Sequence, residues 1–163
     1  MSDKPRQQQQ KEPPQSVLAK TLTIGFMAGL IWSTLGSVFY YFNFTQVSAA
    51  TFIFRSFWQT DWTGSLLAEI LAVIIVGLLS IVVALVYYLV FKSRKGIWPG
   101  LIYGLLLYAI IFVAVNPVFS AVPSWSEMSS DSYVTNICVF ILYGVFTGYS
   151  ISYEYQEYNH QPQ

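Results

Sequence analysis

The chain has 163 residues, 55% of them hydrophobic and 10% charged, and a mean hydropathy of +0.51. Soluble domains carry about 25% charged residues, so the composition indicates an integral membrane protein. Eight basic residues balance eight acidic ones, which offers nothing to nucleic acid, and one cysteine excludes a disulfide framework, a four-ligand zinc module and an iron–sulfur cluster.

Residues 1–20 (MSDKPRQQQQKEPPQSVLAK) are polar, proline-containing and glutamine-rich. They bury too little apolar surface to offset their ordering entropy and read as a disordered cytoplasmic tail. A bilayer core of about 30 Å needs roughly 20 mostly apolar helical residues. The first such run is 21–42, with no charge inside it. Val47-Ser48-Ala49 resembles a signal-peptidase site, but signal h-regions hold only about 7–15 apolar residues, so the run reads as an anchor. Residues 43–64 contain AATFIFRSFW, too short to cross, which predicts a short interfacial helix on the outer surface with Trp58 and Trp62 at headgroup level.

The second span covers 65–91 and holds one acid, Glu69. The third covers 97–118, opening on Trp98-Pro99 and closing near Asn116-Pro117, where proline fits a helix entry and exit. A short hydrophilic connection, 119–132, leads to the more polar fourth span, 133–153, and residues 156–163 form a short tail. The expected fold is an all-α integral membrane protein, a four-transmembrane-helix bundle occupying residues 21–155.

Charge distribution gives the orientation. Lys4, Arg6, Lys11 and Lys20 precede the first span and Lys92, Arg94 and Lys95 follow the second; the other side holds only Arg55. Excess Lys and Arg mark cytoplasmic segments, so both termini are expected in the cytoplasm.

Helices in lipid associate by close packing over small residues and by interhelical hydrogen bonds. Gly25 and Gly29 form a GxxxG pair continued by Gly36; Gly100 with Gly104 and Gly144 with Gly148 form two more. These predict a compact bundle or a homodimer, with the lipid bilayer and other membrane proteins as partners.

Among polar positions, Glu69 shares a helix face with Ser80, Ala84 and Tyr87. It reads either as an acid stabilised near its helix N-terminus or as an ion site partnered by Arg55. Asn136, Tyr143, Thr147, Ser150 and Glu154 fall on one face of the fourth span, as the wall of a hydrated path or as hydrogen-bonding glue between helices. Nucleotide, zinc-protease and serine-hydrolase motifs are missing. The single histidine, His160, excludes a multi-histidine metal site, and Cys138 sits among apolar neighbours as inert packing. No enzyme and no cofactor are expected.

The segments WQTDWTG (58–64), WPGLIYG (98–104), NPVF (116–119) and ILYGVFTGYSISYEY (141–155) resemble the YqhR family of conserved bacterial membrane proteins. The resemblance covers residues from about 25 to 155 and is most specific in its last segment. It implies a small multi-span plasma-membrane protein and implies no biochemical activity. By motif match it points to Trp58, Trp62, Gly64, Pro99, Gly100, Tyr103, Gly104, Asn116, Pro117, Tyr143, Gly144, Gly148, Tyr149 and Glu154, mostly packing, turn and interface residue types. The expectation is a non-enzymatic accessory or scaffold subunit; the alternative is a small oligomeric transporter or channel built on Glu69 and the polar stripe.

Overall fold

A computed structural model describes residues 16–58, 60–94, 96–124 and 126–160. They form four α-helices, α1 (Val17–Tyr41), α2 (Leu66–Phe91), α3 (Trp98–Ala109) and α4 (Ser130–His160), and no strand is found among the described residues. Serines open α1 and α2: Ser16 accepts from the Ala19 N–H and Ser65 from the Ala68 N–H, each satisfying an orphan donor of a first turn.

Helix α1 therefore begins at Val17, four residues before the expected span, and most of the proposed tail (1–15) lies outside the described residues. Helix α4 likewise runs to His160, past 153 and through most of the expected 156–163 tail, of which 161–163 lie outside the described residues. Hydropathy marks where a helix leaves hydrocarbon, whereas backbone hydrogen bonding continues as long as the side chains tolerate it.

Three helices are long and apolar enough to cross a membrane: α1, α2, and α4 over Ser130–Tyr158. The expected third span differs. Its regular helix ends at Ala109, widens into a π-helical turn (Ile110–Ala114), and breaks into a 3-10 turn at Asn116–Val118. Pro117 has no N–H to donate and disfavours helical backbone at Asn116, so the apolar helical run is Trp98–Ala114, shorter than the other three.

Chain direction alternates, giving two antiparallel hairpins, α1/α2 and α3/α4. In the first, a Cβ on Gly25 would lie 2.6 Å from Ala84 Cβ and one on Gly29 2.7 Å from the Gly77 Cα. In the second, a Cβ on Gly100 would lie 2.6 Å from the Gly144 carbonyl oxygen and one on Gly148 2.8 Å from the Gly100 Cα. Only glycine permits such backbone approach. Helices α1 and α4 join the hairpins, while the α2 and α3 backbones stay apart. Near the end that holds Lys20, Tyr103 bridges them, donating to the Val83 carbonyl at 2.6 Å and meeting Tyr87 edge-on at 5.1 Å. Gly36 departs from the expectation for packing glycines: a Cβ there meets no heavy atom within 4 Å.

The connection after α1 also differs from expectation. Ala49, Ala50 and the π-helical turn Thr51–Arg55 do form a short helix, but Thr45, Val47, Ser48, Ala49, Ala50 and Thr51 are all buried. This segment plugs one end of the bundle instead of lying on its surface, with Ala49 and Ala50 packed against Ala72. Small side chains make the close approach possible; Phe57, Trp58 and Trp62 remain exposed around the plug. Beneath it, Val47 packs with Tyr108, Phe112, Val122 and Met128 in an aromatic-rich core.

Candidate functional site

Glu69 lies in the first turn of α2, at the plugged end, and is 3% exposed. Its carboxylate accepts three hydrogen bonds and faces one guanidinium. Oε1 accepts from Ser37 Oγ of α1 and from the Ala50 N–H at 3.3 Å. Oε2 accepts from Ser48 Oγ at 3.0 Å and faces Arg55 Nη2 at 3.9 Å. A carboxylate offers about four acceptor positions; three are filled by hydrogen bonds, and Arg55, beyond hydrogen-bond distance, contributes its charge. Arg55 is itself held: Nη1 donates to Tyr40 Oη at 2.7 Å, Nε donates to the Thr63 carbonyl at 3.2 Å, and the guanidinium lies 5.0 Å from the Tyr40 ring centroid. The pair thus joins α1, the plug, the 3-10 turn Asp61–Gly64 and α2.

Composition singled out Glu69 and Arg55 but not the residues around them. Ser37, Tyr40, Ser48 and Thr63 were absent from the expected site. The signal was nevertheless present, since a buried acid needs donors and 45–51 reads TQVSAAT, rich in hydroxyls.

The stripe on α4 is divided among different neighbours. Asn136, 8% exposed, accepts from Thr45 Oγ1 at 3.1 Å, which anchors the plug to α4. Tyr143 Oη is 2.7 Å from Ser80 Oγ, and Ser80 donates to the Gly25 carbonyl at 2.7 Å. Thr147 is fully buried, whereas Ser150 is half-buried. Glu154 forms an ion pair with Lys20 at 2.5 Å, so the start of α1 and the far part of α4 lie at the same end. Asn116 stands apart from all of these and donates to the Pro123 carbonyl at 3.1 Å, closing the turn after α3. Cys138 faces outward from α4, exposed rather than packed inside.

Between the plug and Tyr143 lies a cavity of about 310 Å³. All four helices contribute: Trp32 and Gly36 from α1, Val76 and Leu79 from α2, Leu107 from α3 and Phe140 from α4. No cluster of three or more metal-binding side chains occurs among the described residues.

The sequence matches the family described as "Conserved membrane protein YqhR" over residues 2–163. The chain belongs to the YqhR family. It is also 37% identical, over 151 residues, to "Uncharacterized protein YqhR" of Bacillus subtilis (strain 168), an alignment covering 93% of this chain and 84% of that relative. No solved structure matches it. Membership of YqhR makes this a conserved membrane protein, in agreement with its three spanning-length helices.

Proposed function

We propose that this YqhR protein crosses the bacterial cell membrane four times, with both termini in the cytoplasm, and acts as a non-enzymatic accessory or scaffold subunit. The bonding of Glu69 carries the functional part. Among the described residues it is the one acid buried within a spanning helix, and it accepts hydrogen bonds from Ser37, Ser48 and the Ala50 N–H and faces Arg55 at 3.9 Å. A transported ion or proton would have to displace bonds that hold the bundle together.

The four-span count is supported by α3 lying antiparallel to α4 in backbone contact. The 17 residues of Trp98–Ala114 extend about 25 Å, at the short limit of known spans. Lys20, Lys92 and Arg94 flank the end opposite Arg55, which supports a cytoplasmic position for that end; Lys4, Arg6, Lys11 and Lys95 lie outside the described residues.

Crosslinking and pull-down of the tagged protein from its native membrane, with mass determination of the particle, tests the scaffold reading. A stable hetero-complex is expected. A homo-oligomer without partners, whose proton or cation flux in proteoliposomes is abolished by Glu69→Gln at normal protein levels, would replace it with the transporter reading.

A further inference from the structure

The α2–α3 gap is the side of the bundle where neighbouring helices fail to meet, and the cavity lies behind it. Leu79, 53% exposed, stands at the opening, and Leu107, Val76 and Phe140 form apolar walls. The hydroxyls and amide in the lining are already committed. Ser33 donates to the Gly29 carbonyl, Ser48 to Glu69 and Ser80 to Gly25, while Asn136 accepts from Thr45. The Trp32 indole N–H, buried in the wall, has no hydrogen-bond partner and is the uncommitted donor among these lining groups. Water needs two to four polar partners to occupy a buried site, and one free N–H among mainly apolar walls holds it poorly. Left empty, the cavity would cost its lining the dispersion contacts that close packing supplies.

Size narrows the occupant. A cavity of about 310 Å³ with mainly apolar walls suits a hydrocarbon chain, and hydrocarbon is what surrounds the opening of a membrane protein. Gly36 supplies an independent observation: it lines the cavity, yet no neighbour requires it to be glycine, since a Cβ there meets nothing within 4 Å. Its missing side chain leaves room in the cavity without helping the helices pack.

We infer that the cavity holds one acyl chain of a bilayer phospholipid, admitted between α2 and α3 and bounded by Gly36, Trp32, Leu79, Leu107 and Phe140. The inference rests on the four-span placement proposed above, which cysteine labelling checks separately.

The test is native mass spectrometry and lipid extraction of the full chain purified in mild detergent. The wild type should retain one phospholipid per chain. Gly36→Leu, whose side chain enters the open space, should lower retention at least tenfold without changing helix content or particle mass. Lipid-free wild type, or a folded Gly36→Leu protein with undiminished lipid, overturns the proposal. Should Gly36→Leu not fold, a protein keeping Trp32 as its sole tryptophan is reconstituted in phosphatidylglycerol vesicles brominated at mid-chain. It is then extracted into detergent free of brominated lipid. Persistent quenching is expected, and immediate recovery of full fluorescence would overturn the site. Correct cysteine labelling with no retained lipid would reject the lipid site alone; incorrect labelling would reject the four-span placement.

Discussion

Tyr143 donates its hydroxyl proton to Ser80 and does not receive one. Ser80 has a single proton, directed at the Gly25 carbonyl at 2.7 Å, so the 2.7 Å contact with Tyr143 can be made only by the phenol's proton. One serine oxygen therefore connects α1, α2 and α4 in the middle of the bundle.

Because both bonds share that oxygen, Tyr143→Phe and Ser80→Ala should not be additive. Interhelical hydrogen bonds in membrane proteins average about 0.6 kcal/mol and reach about 1.7; coupling in the upper part of that range is expected here. A double-mutant cycle on unfolding in mixed micelles measures it, and zero coupling would contradict the shared geometry.

Replacing Glu69 should be graded by what is left behind. Glu69→Gln keeps a hydrogen-bonding group among the serines and should cost about 1–3 kcal/mol. Glu69→Ala leaves Arg55 and two hydroxyls without their acceptor and should cost more, approaching the 3–5 kcal/mol typical of a broken buried pair. Arg55→Gln should cost less than Glu69→Ala, since Arg55 is 21% exposed and 3.9 Å from the carboxylate. Thermal unfolding of the three variants gives the order, and a reversed order would count against the hydrogen bonding described for the carboxylate.

Glycine positions should separate into two classes. Gly100→Ala and Gly144→Ala place a methyl group against the backbone of the facing helix and must force α3 and α4 apart, at about 1–3 kcal/mol each. Gly36→Ala has open space and should change stability by no more than about 0.5 kcal/mol. Equal effects at all three would mean that the α3/α4 seam is looser than described.

Topology is accessible through the single native cysteine. In a Cys138→Ser background, cysteines at Ser93 and Glu157 should be protected from a membrane-impermeant maleimide in intact cells, while one at Thr60 should react. Labelling of Glu157→Cys with protection of Ser93→Cys would give an odd number of crossings and exclude the four-span reading.

Much of this architecture was legible in the sequence because bilayer crossing imposes a coarse, one-dimensional demand on hydropathy. The three spanning-length helices, the GxxxG pairs of α1, α3 and α4, and the isolation of Glu69 could all be read that way. The fate of 45–51 could not. Its Ser, Ala and Thr residues are compatible with a surface helix, and only the location of Glu69 and Asn136 explains why they turn inward. Gly36 was misread for a related reason: glycine spacing says which helix face is small, not whether another helix occupies it. The end of regular α3 at Ala109 also escaped, since Asn116-Pro117 marks the exit while the π-helical widening before it has no residue signature.

The two hairpins are assembled by different means. Within each, glycine brings backbones together; between them, tyrosine, serine, asparagine, lysine and glutamate side chains make many of the connections. Separating the hairpins would therefore free polar groups that lipid cannot satisfy, and a newly inserted chain whose hairpins had not yet met would display those groups to the membrane. The same chemistry that completes the bundle makes its half-assembled form recognisable to any quality-control protease that senses exposed polarity in hydrocarbon.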